Sequence, residues 1–187
     1  MRAVLADIVE GAQPALAVAH DGDSAPPSWS VVARIGGGAT DSLLLAVPIV
    51  DRRGSSAAAA LVVEVARALA AGPRPYAIEV ALIDDALGAD GLARAMNDAG
   101  ELVGVRAAFY LDGLCGATPR LVRDLYSHRE YRELVWRMAR ELGHGAAFPS
   151  DGFATPQGGH RAFLEHGVRA TVALVDASDA ESCSDAG

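Results

Sequence analysis

Aspartates end four predicted strands, and they are the residues whose placement first suggests chemistry. They are Asp51 after LLLAVPIV, Asp84 and Asp85 after VALI, Asp112 after AAFYL, and Asp176 after TVALV. In an open α/β sheet, ligands bind outside the carboxyl ends of the strands, so carboxylates there can converge on one site. Two neighbouring carboxylates split their pKa values, and one can then act as an acid and the other as a base. Each aspartate could instead cap a helix or start a turn, but the set predicts a shared pocket.

His160 is the histidine best placed to join this pocket, because it follows a glycine-rich turn and begins a predicted helix in GGHRAF. Imidazole titrates near neutral pH and could move a proton there, although a structural role is equally open. Arg52 and Arg53 follow Asp51 directly and could bind a substrate carboxylate or phosphate through paired N–H groups. The alternative for the two arginines is a solvated turn.

The composition excludes several classes of function. All sixteen basic residues are arginine, so a lysine Schiff base, a pyridoxal phosphate linkage and a P-loop lysine are all ruled out. The net charge of −8 argues against nucleic acid and anionic membrane partners. No apolar run reaches the roughly 18 residues that span a bilayer. The cysteine usage leaves a cytoplasmic location as the default expectation. Cys115 and Cys183 lie far apart in the sequence and predict neither a thiolate zinc site nor a disulfide framework.

The elements that must position these residues alternate between strands and helices. Strands are predicted at 31–35, 43–50, 77–83, 107–111 and 170–175, and helices at 55–69, 91–97, 127–142 and 159–166. The alternation predicts an α/β fold, a three-layer sandwich around a central, mostly parallel (mixed) sheet. The glycine-rich turn 36–41 predicts that the first two strands form a hairpin. Ser127 and Glu130 have the spacing of a capping box for the third helix.

The 187 residues predict one domain. Its expected bounds are 29–176. Residues 1–28 are an N-terminal segment and linker that ends in a breaker-rich stretch, and residues 177–187 form a flexible acidic tail.

The order of these segments resembles the zinc aminopeptidase and glutaminyl cyclase family, from Trp29 to Asp176. The similar segments are VVARIGG, LLLAVPIVD, AALVVEVARALA, VALIDDALGADGLA, FYLDGLCG and GGHRAFLEHGVRATVALVD. The resemblance implies an aminopeptidase-like α/β fold. The chain is short for that family, and the segments that build its substrate pocket walls look reduced.

The resemblance also implies that most metal ligands are missing. The family has His-x-Asp at the end of its first strand, whereas this chain has Ile49 followed by Val50 and Asp51. Gly54 stands where the metal-bridging aspartate belongs, Ala86 stands at a ligand glutamate, and Gly159 replaces the acid beside His160. We therefore expect no cofactor and no tight zinc site, unless Asp51 serves as a replacement ligand.

The positions that the family uses for proton transfer are retained better than its metal-ligand positions. The resemblance implies that Asp85 stands at the general base and that Asp112 and His160 stand at family site positions, with Asp51 in support. These four are the predicted catalytic residues, and Arg52, Arg53 and Asp84 are the predicted substrate-binding residues.

Three functions follow from this pattern. The first is a metal-independent enzyme that uses acid–base catalysis for a cyclisation, condensation or amide-type reaction on a small amino-acid-derived or peptide-like substrate. The second is a catalytically dead pseudoenzyme that binds or scaffolds a partner. The third is a zinc aminopeptidase or cyclase with displaced ligands. A homodimer is possible, because a trimmed fold exposes surface that a second copy can cover.

Overall fold

A computed structural model of the chain describes residues 13–19, 28–36, 39–49, 55–84, 86–114, 119–154 and 158–176. The strands are β1 (Gln13–Ala19), β2 (Ser28–Ile35), β3 (Ser42–Pro48), β4 (Ala77–Ile83), β5 (Val105–Asp112), β6 (Leu121–Asp124), β7 (Phe153–Ala154) and β8 (Thr171–Asp176). The helices are α1 (Ser55–Ala70), α2 (Ala86–Asp98), α3 (Arg129–Glu141) and α4 (Gly159–Glu165), with a 3-10 turn at Glu101–Gly104. No helix in these ranges is both long and apolar enough to cross a membrane.

The strands form one mixed sheet in the order β1-β2-β4-β3-β5-β8-β6-β7. The four central strands β4, β3, β5 and β8 are parallel. β1 pairs antiparallel with β2, β2 with β4, and β6 with β8, while the short strand β7 pairs parallel with β6. The predicted α/β fold with a central mixed sheet is therefore confirmed. The strand β1 lies in the segment that the sequence analysis set before the domain, and it extends the sheet at one edge.

The predicted hairpin of the first two strands is wrong. β4 lies between β2 and β3, pairing antiparallel with β2 and parallel with β3. The reason is visible in β3 itself, where six of seven residues are buried. A continuous apolar run of this kind belongs between two other strands, with helices on both faces, rather than in an edge hairpin.

Helices cover both faces of the sheet and complete the three layers. On one face, α1 and α3 pack on a core that includes Val62, Trp136, Val80 and Leu45. On the other face, α2 and α4 pack on a second core that includes Leu92 and Phe163. The alternation of side chains along each strand sends successive residues into these two cores in turn.

The carboxyl ends of the parallel strands lie side by side at the same end of the sheet. Ile83 at the end of β4 pairs with Pro48 at the end of β3, and Asp112 at the end of β5 pairs with Val175 of β8. Asp84 and Asp112 are therefore at the same end of the sheet, where the parallel strands finish. β3 separates their strands, so their backbones are about 10 Å apart.

Candidate functional site

A buried aspartate that the sequence analysis did not single out organises the candidate site. Asp124 is the last residue of β6 and has no exposed surface. One carboxylate oxygen, Oδ1, accepts the backbone N–H groups of Tyr126 at 2.8 Å and Ser127 at 2.6 Å. The Ser127 hydroxyl donates to the other oxygen, Oδ2. A short polar side chain commonly closes a turn in this way, by accepting from the backbone two and three residues ahead.

The Ser127 hydroxyl also joins this turn to the sheet, because Oγ accepts the N–H of Ala173 on β8 at 3.3 Å. The capping box predicted for Ser127 is therefore wrong. The helix α3 begins at Arg129 with His128 as its N-cap residue, and no side chain caps it. The Ser127 hydroxyl is used elsewhere, because its O–H donates to Asp124 and its oxygen accepts the N–H of Ala173 on β8 instead of an N–H of the helix.

His160 completes the buried group. It is the second residue of α4 and has no exposed surface. Its Nε2 lies 3.2 Å from Asp124 Oδ1. Its other nitrogen, Nδ1, is buried and has no hydrogen-bond partner among the residues that the structure describes. Because a carboxylate only accepts, Asp124 favours the tautomer with the proton on Nε2 and the lone pair on Nδ1.

Two tyrosine rings flank the His160 ring. The ring centroid of Tyr110 on β5 lies 6.2 Å from that of His160, and the centroid of Tyr126 lies 5.8 Å from it. Arg161 lies over the Tyr126 ring, with its guanidinium carbon 4.8 Å from the ring centroid. The imidazole is thus close to two aromatic rings, and one of these rings also contacts a cation.

Gly159 allows this arrangement because it has no side chain. A Cβ atom at this position would lie 2.3 Å from the Tyr110 hydroxyl and 2.7 Å from the ring carbon that bears it. The volume that a side chain at position 159 would occupy is therefore filled by Tyr110. The acid that the family resemblance implies beside His160 is absent here, and the site has no room for it.

Burial and hydrogen bonding act in opposite directions on Asp124. Burial alone would raise the pKa of its carboxyl group, but the hydrogen bonds from His160 and Ser127 outweigh it and lower the pKa from 3.8 to about 2. Asp124 is therefore ionised throughout the ordinary pH range. An anion with that pKa is a poor proton acceptor, so it can orient His160 without taking its proton.

This pKa predicts a loss of stability in acid. A carboxyl group with a lowered pKa stabilises the fold above the unfolded-state pKa, near 4, and that contribution disappears as the pH falls through about 2. We expect Asp124 to account for about 2 kcal/mol of unfolding free energy lost in this range. Urea unfolding at successive pH values measures it. The Asp124→Asn protein should show a flatter dependence between pH 4 and 2, and an equally steep dependence would contradict this assignment.

The structure describes three of the predicted site residues. His160 lies in the buried group described above. Asp112 is buried at the end of β5, two residues beyond Tyr110 and on the same side of the sheet, about 7 Å further along the strand. Asp84 is half-buried just beyond β4. Asp51, Arg52, Arg53 and Asp85 lie outside the described residues, so their predicted roles stay predictions.

Asp124 carried one signal that could have revealed it. The run Asp124-Leu-Tyr-Ser127 has the spacing of an aspartate that closes a turn on a serine hydroxyl and two backbone N–H groups. The strand that carries Asp124 is only four residues long, and two of the four are charged. A short strand with two charged residues is difficult to predict from the sequence, because a buried strand is normally apolar.

Zinc, the metal of the family that the sequence resembles, does not suit the described part of the site. In that part of the chain, no three histidine, cysteine, aspartate or glutamate side chains are close enough to hold a metal ion. Gly159 brings no donor, and His160 offers one donor, Nδ1, because its Nε2 is engaged with Asp124. A stable zinc site needs three or four donors around one point.

The group is also not a Ser-His-Asp triad. The serine hydroxyl donates to the aspartate and not to the histidine, so no base is positioned to activate it. What the arrangement offers is an oriented imidazole with one buried acceptor nitrogen.

Known structures share this fold. The chain is similar to a Porphyromonas gingivalis glutaminyl cyclase, with 18% identity over 99% of this chain and 76% of that chain and a TM-score of 0.78. It is similar to a Fimbriiglobus ruber glutaminyl cyclase, with 17% identity over 93% of this chain and 74% of that one and a TM-score of 0.77. A leucine aminopeptidase precursor from Bacteroides thetaiotaomicron matches with 16% identity over 93% and 75% of the two chains and a TM-score of 0.69.

The resemblance seen in the sequence is therefore confirmed at the level of the fold. No family model matches the sequence, and no curated protein matches it either. The TM-scores establish the fold. Sequence identities this low do not establish the reaction, which has to be argued from the residues of this chain.

Proposed function

We propose that the protein is a metal-independent acid–base catalyst on a glutaminyl cyclase-like scaffold. Its reaction is a cyclisation, condensation or amide-type reaction of a small amino-acid-derived or peptide-like substrate. The observation that supports it most is His160, whose Nε2 is held by Asp124 while Nδ1 is buried without a partner among the described residues. Such an imidazole is a proton acceptor fixed in one orientation.

The proposed role of His160 is that of the general base. In the cyclisation of an N-terminal glutaminyl substrate, the amine attacks the side-chain carboxamide, a C–N bond forms, and ammonia leaves. Nδ1 takes the proton from the attacking amine, and the same proton can then pass to the leaving nitrogen. Asp124 is a positioning residue, because it touches His160 and is too weak a base to take the proton itself.

The predicted carboxylates serve the same reaction in this proposal. Asp112 lies on the side of the sheet that carries Tyr110 and His160, where it can supply or accept a second proton. We assign Asp85 and Asp51 to the same proton transfers, and Arg52, Arg53 and Asp84 to substrate binding. An intramolecular cyclisation suits a site without a Lewis acid, because the reacting groups already share one molecule and proximity supplies much of the rate.

A second candidate is a catalytically inactive binding domain. The observation that favours it is the complete burial of both Asp124 and His160, together with the many hydrogen bonds that the carboxylate accepts. Groups arranged in this way also stabilise a fold without doing chemistry. The zinc enzyme with displaced ligands has less support, because the described donors do not suit the ion.

Cyclisation of a glutaminyl dipeptide tests the proposal. Ammonia release is measured for the wild type, for His160→Gln and for His144→Gln, each with and without a strong chelator. His144 is an exposed histidine and is the matched control. We expect His160→Gln to lose about 100-fold or more in kcat, His144→Gln to match the wild type, and the chelator to have no effect.

Two results would count against the proposal. Activity that chelation abolishes and zinc restores would show that the catalyst is a metal enzyme. A folded wild type that turns over neither glutaminyl substrates nor activated amides would leave the binding domain as the better account.

A further inference from the structure

The helix α1 presents its larger apolar side chains to the outside. Its inward positions Ala58, Val62 and Ala66 are at most 2% exposed, whereas Leu61, Val65 and Leu69 are 44%, 37% and 42% exposed. A helix on the surface of a lone domain normally has apolar residues inward and polar residues outward, whereas α1 is apolar on both sides.

The helix α3 adds a second exposed apolar row to the same layer. Leu134, Met138 and Leu142 follow one another at intervals of four residues and are 40%, 50% and 71% exposed. Both helices pack on the same face of the sheet. On α2 from residue 88 onward and on α4, which cover the other face, no large apolar side chain is exposed. Other exposed apolar residues, such as Val103 and Phe153, lie outside the four α-helices and form no row along a helix. Rows of exposed apolar side chains are therefore seen only on α1 and α3 among the described helix side chains.

The charges of this layer are balanced, although the chain carries a net charge of −8. α1 has one glutamate and one arginine, and α3 has four arginines against three glutamates. Two copies of the chain would repel each other across an acidic surface, but not across this one.

We infer that the α1–α3 layer is the interface of a homodimer, in which α1 packs antiparallel against α1 of a second copy around a two-fold axis near Val65. This register places Leu61 against Leu69 of the partner and the two Val65 side chains against each other. It also places Glu64 beside Arg67 of the partner. Within one chain, Glu64 and Arg67 form an ion pair, and both side chains are exposed. In the dimer, the two glutamates and two arginines can therefore alternate in sign around the two-fold axis. A two-fold interface requires a surface that is complementary to itself in this way.

Both apolar rows are needed for such an interface. A stable dimer buries about 800 Å² on each partner. A helix of sixteen residues is about 24 Å long and offers only part of that area. The row on α3 extends the contact, so Met138 belongs to the interface as well.

Sedimentation velocity over a range of concentrations tests the inference. We expect the wild type to form dimers, and we expect Val65→Glu and Met138→Glu each to weaken association about tenfold or more. Ala95→Glu is the matched control, because Ala95 is an exposed residue of α2 in the other helical layer. It should dimerise like the wild type. Circular dichroism on each variant confirms that it is folded.

Charge exchange tests the register. Glu64→Arg alone and Arg67→Glu alone should each weaken the dimer, because each places like charges around the axis. The double variant, Glu64→Arg with Arg67→Glu, should restore the dimer. A wild type that stays monomeric at all concentrations, or a dimer that Val65→Glu leaves unchanged, would overturn the inference. A double variant that fails to restore association would overturn the antiparallel register. These outcomes are independent of any catalytic assay.

Discussion

Gly159→Ala should destabilise the protein by about 2 kcal/mol or more, although alanine normally favours a helix over glycine. The new Cβ would lie 2.3 Å from the Tyr110 hydroxyl and 2.7 Å from the ring carbon that bears it. An aromatic ring in a packed core cannot bend away, so the start of α4 must shift and carry His160 with it. Urea unfolding measures the loss of stability, and the cyclisation assay measures the accompanying loss of activity.

Two further variants make this prediction specific. Gly72→Ala is the control, because a Cβ there meets nothing within 4 Å, and its effect should stay within about 0.5 kcal/mol. Adding Tyr110→Phe to Gly159→Ala removes the nearest atom but leaves the ring carbon, so stability should return only in part. A Gly159→Ala protein as stable as the wild type would show that the close approach of Tyr110 does not constrain position 159.

Asp124→Asn should lower the free energy of unfolding at least as much as Gly159→Ala, because it removes hydrogen bonds rather than because it adds volume. The carboxylate accepts from His160, from the Ser127 hydroxyl and from two backbone N–H groups. An amide has one acceptor oxygen, and its NH₂ group would face at least one of these donors. We expect unfolding to become easier by about 2–4 kcal/mol, since buried donors lose their partner. Urea unfolding at neutral pH measures this loss.

A structural role alone would change only stability, so the tautomer of His160 is the more informative measurement. Nitrogen chemical shifts of the imidazole should report a proton on Nε2 in the wild type and a mixture of tautomers in Asp124→Asn. Asp151→Asn is the control, because Asp151 is an exposed carboxylate in a surface ion pair with Arg120, and its loss should cost under about 1 kcal/mol. An unchanged His160 tautomer in Asp124→Asn would remove the orienting role from Asp124.

Much of the fold was predictable because the apolar runs are long and bounded by clear turn residues. The strand at 77–83 has the predicted bounds, and α1 differs from its prediction by one residue. The sequence predicts α2 only from 91, yet it begins at Ala86. Gly88 and Gly91 weaken the local helix signal, and the packing of Ala89, Leu92 and Met96 against the sheet overrides it.

The candidate site was predictable only in part. His160 could be identified because a glycine turn and a helix start mark its position. The spacing of Asp124 and Ser127 marks a turn, but the pairing of Asp124 with His160 could not be predicted, because the two residues are 36 positions apart and only the antiparallel placement of β6 beside β8 brings them together. The pairing of distant strands is set by the whole sheet, and no local pattern encodes it.

The strand order also constrains the order in which the chain can fold. β6 is joined to the central strands by its pairing with β8, and β8 in turn pairs with β5. β8 is synthesised about 50 residues after β6. On a ribosome, β3, β4 and β5 can therefore assemble as they emerge, while β6 and α3 must wait for the last strand. The contact between Asp124 and His160 forms only when this late strand docks. A nascent chain that stalls before Thr171 would lack β8, would have β6 and β7 undocked from the sheet, and would lack the contact between Asp124 and His160.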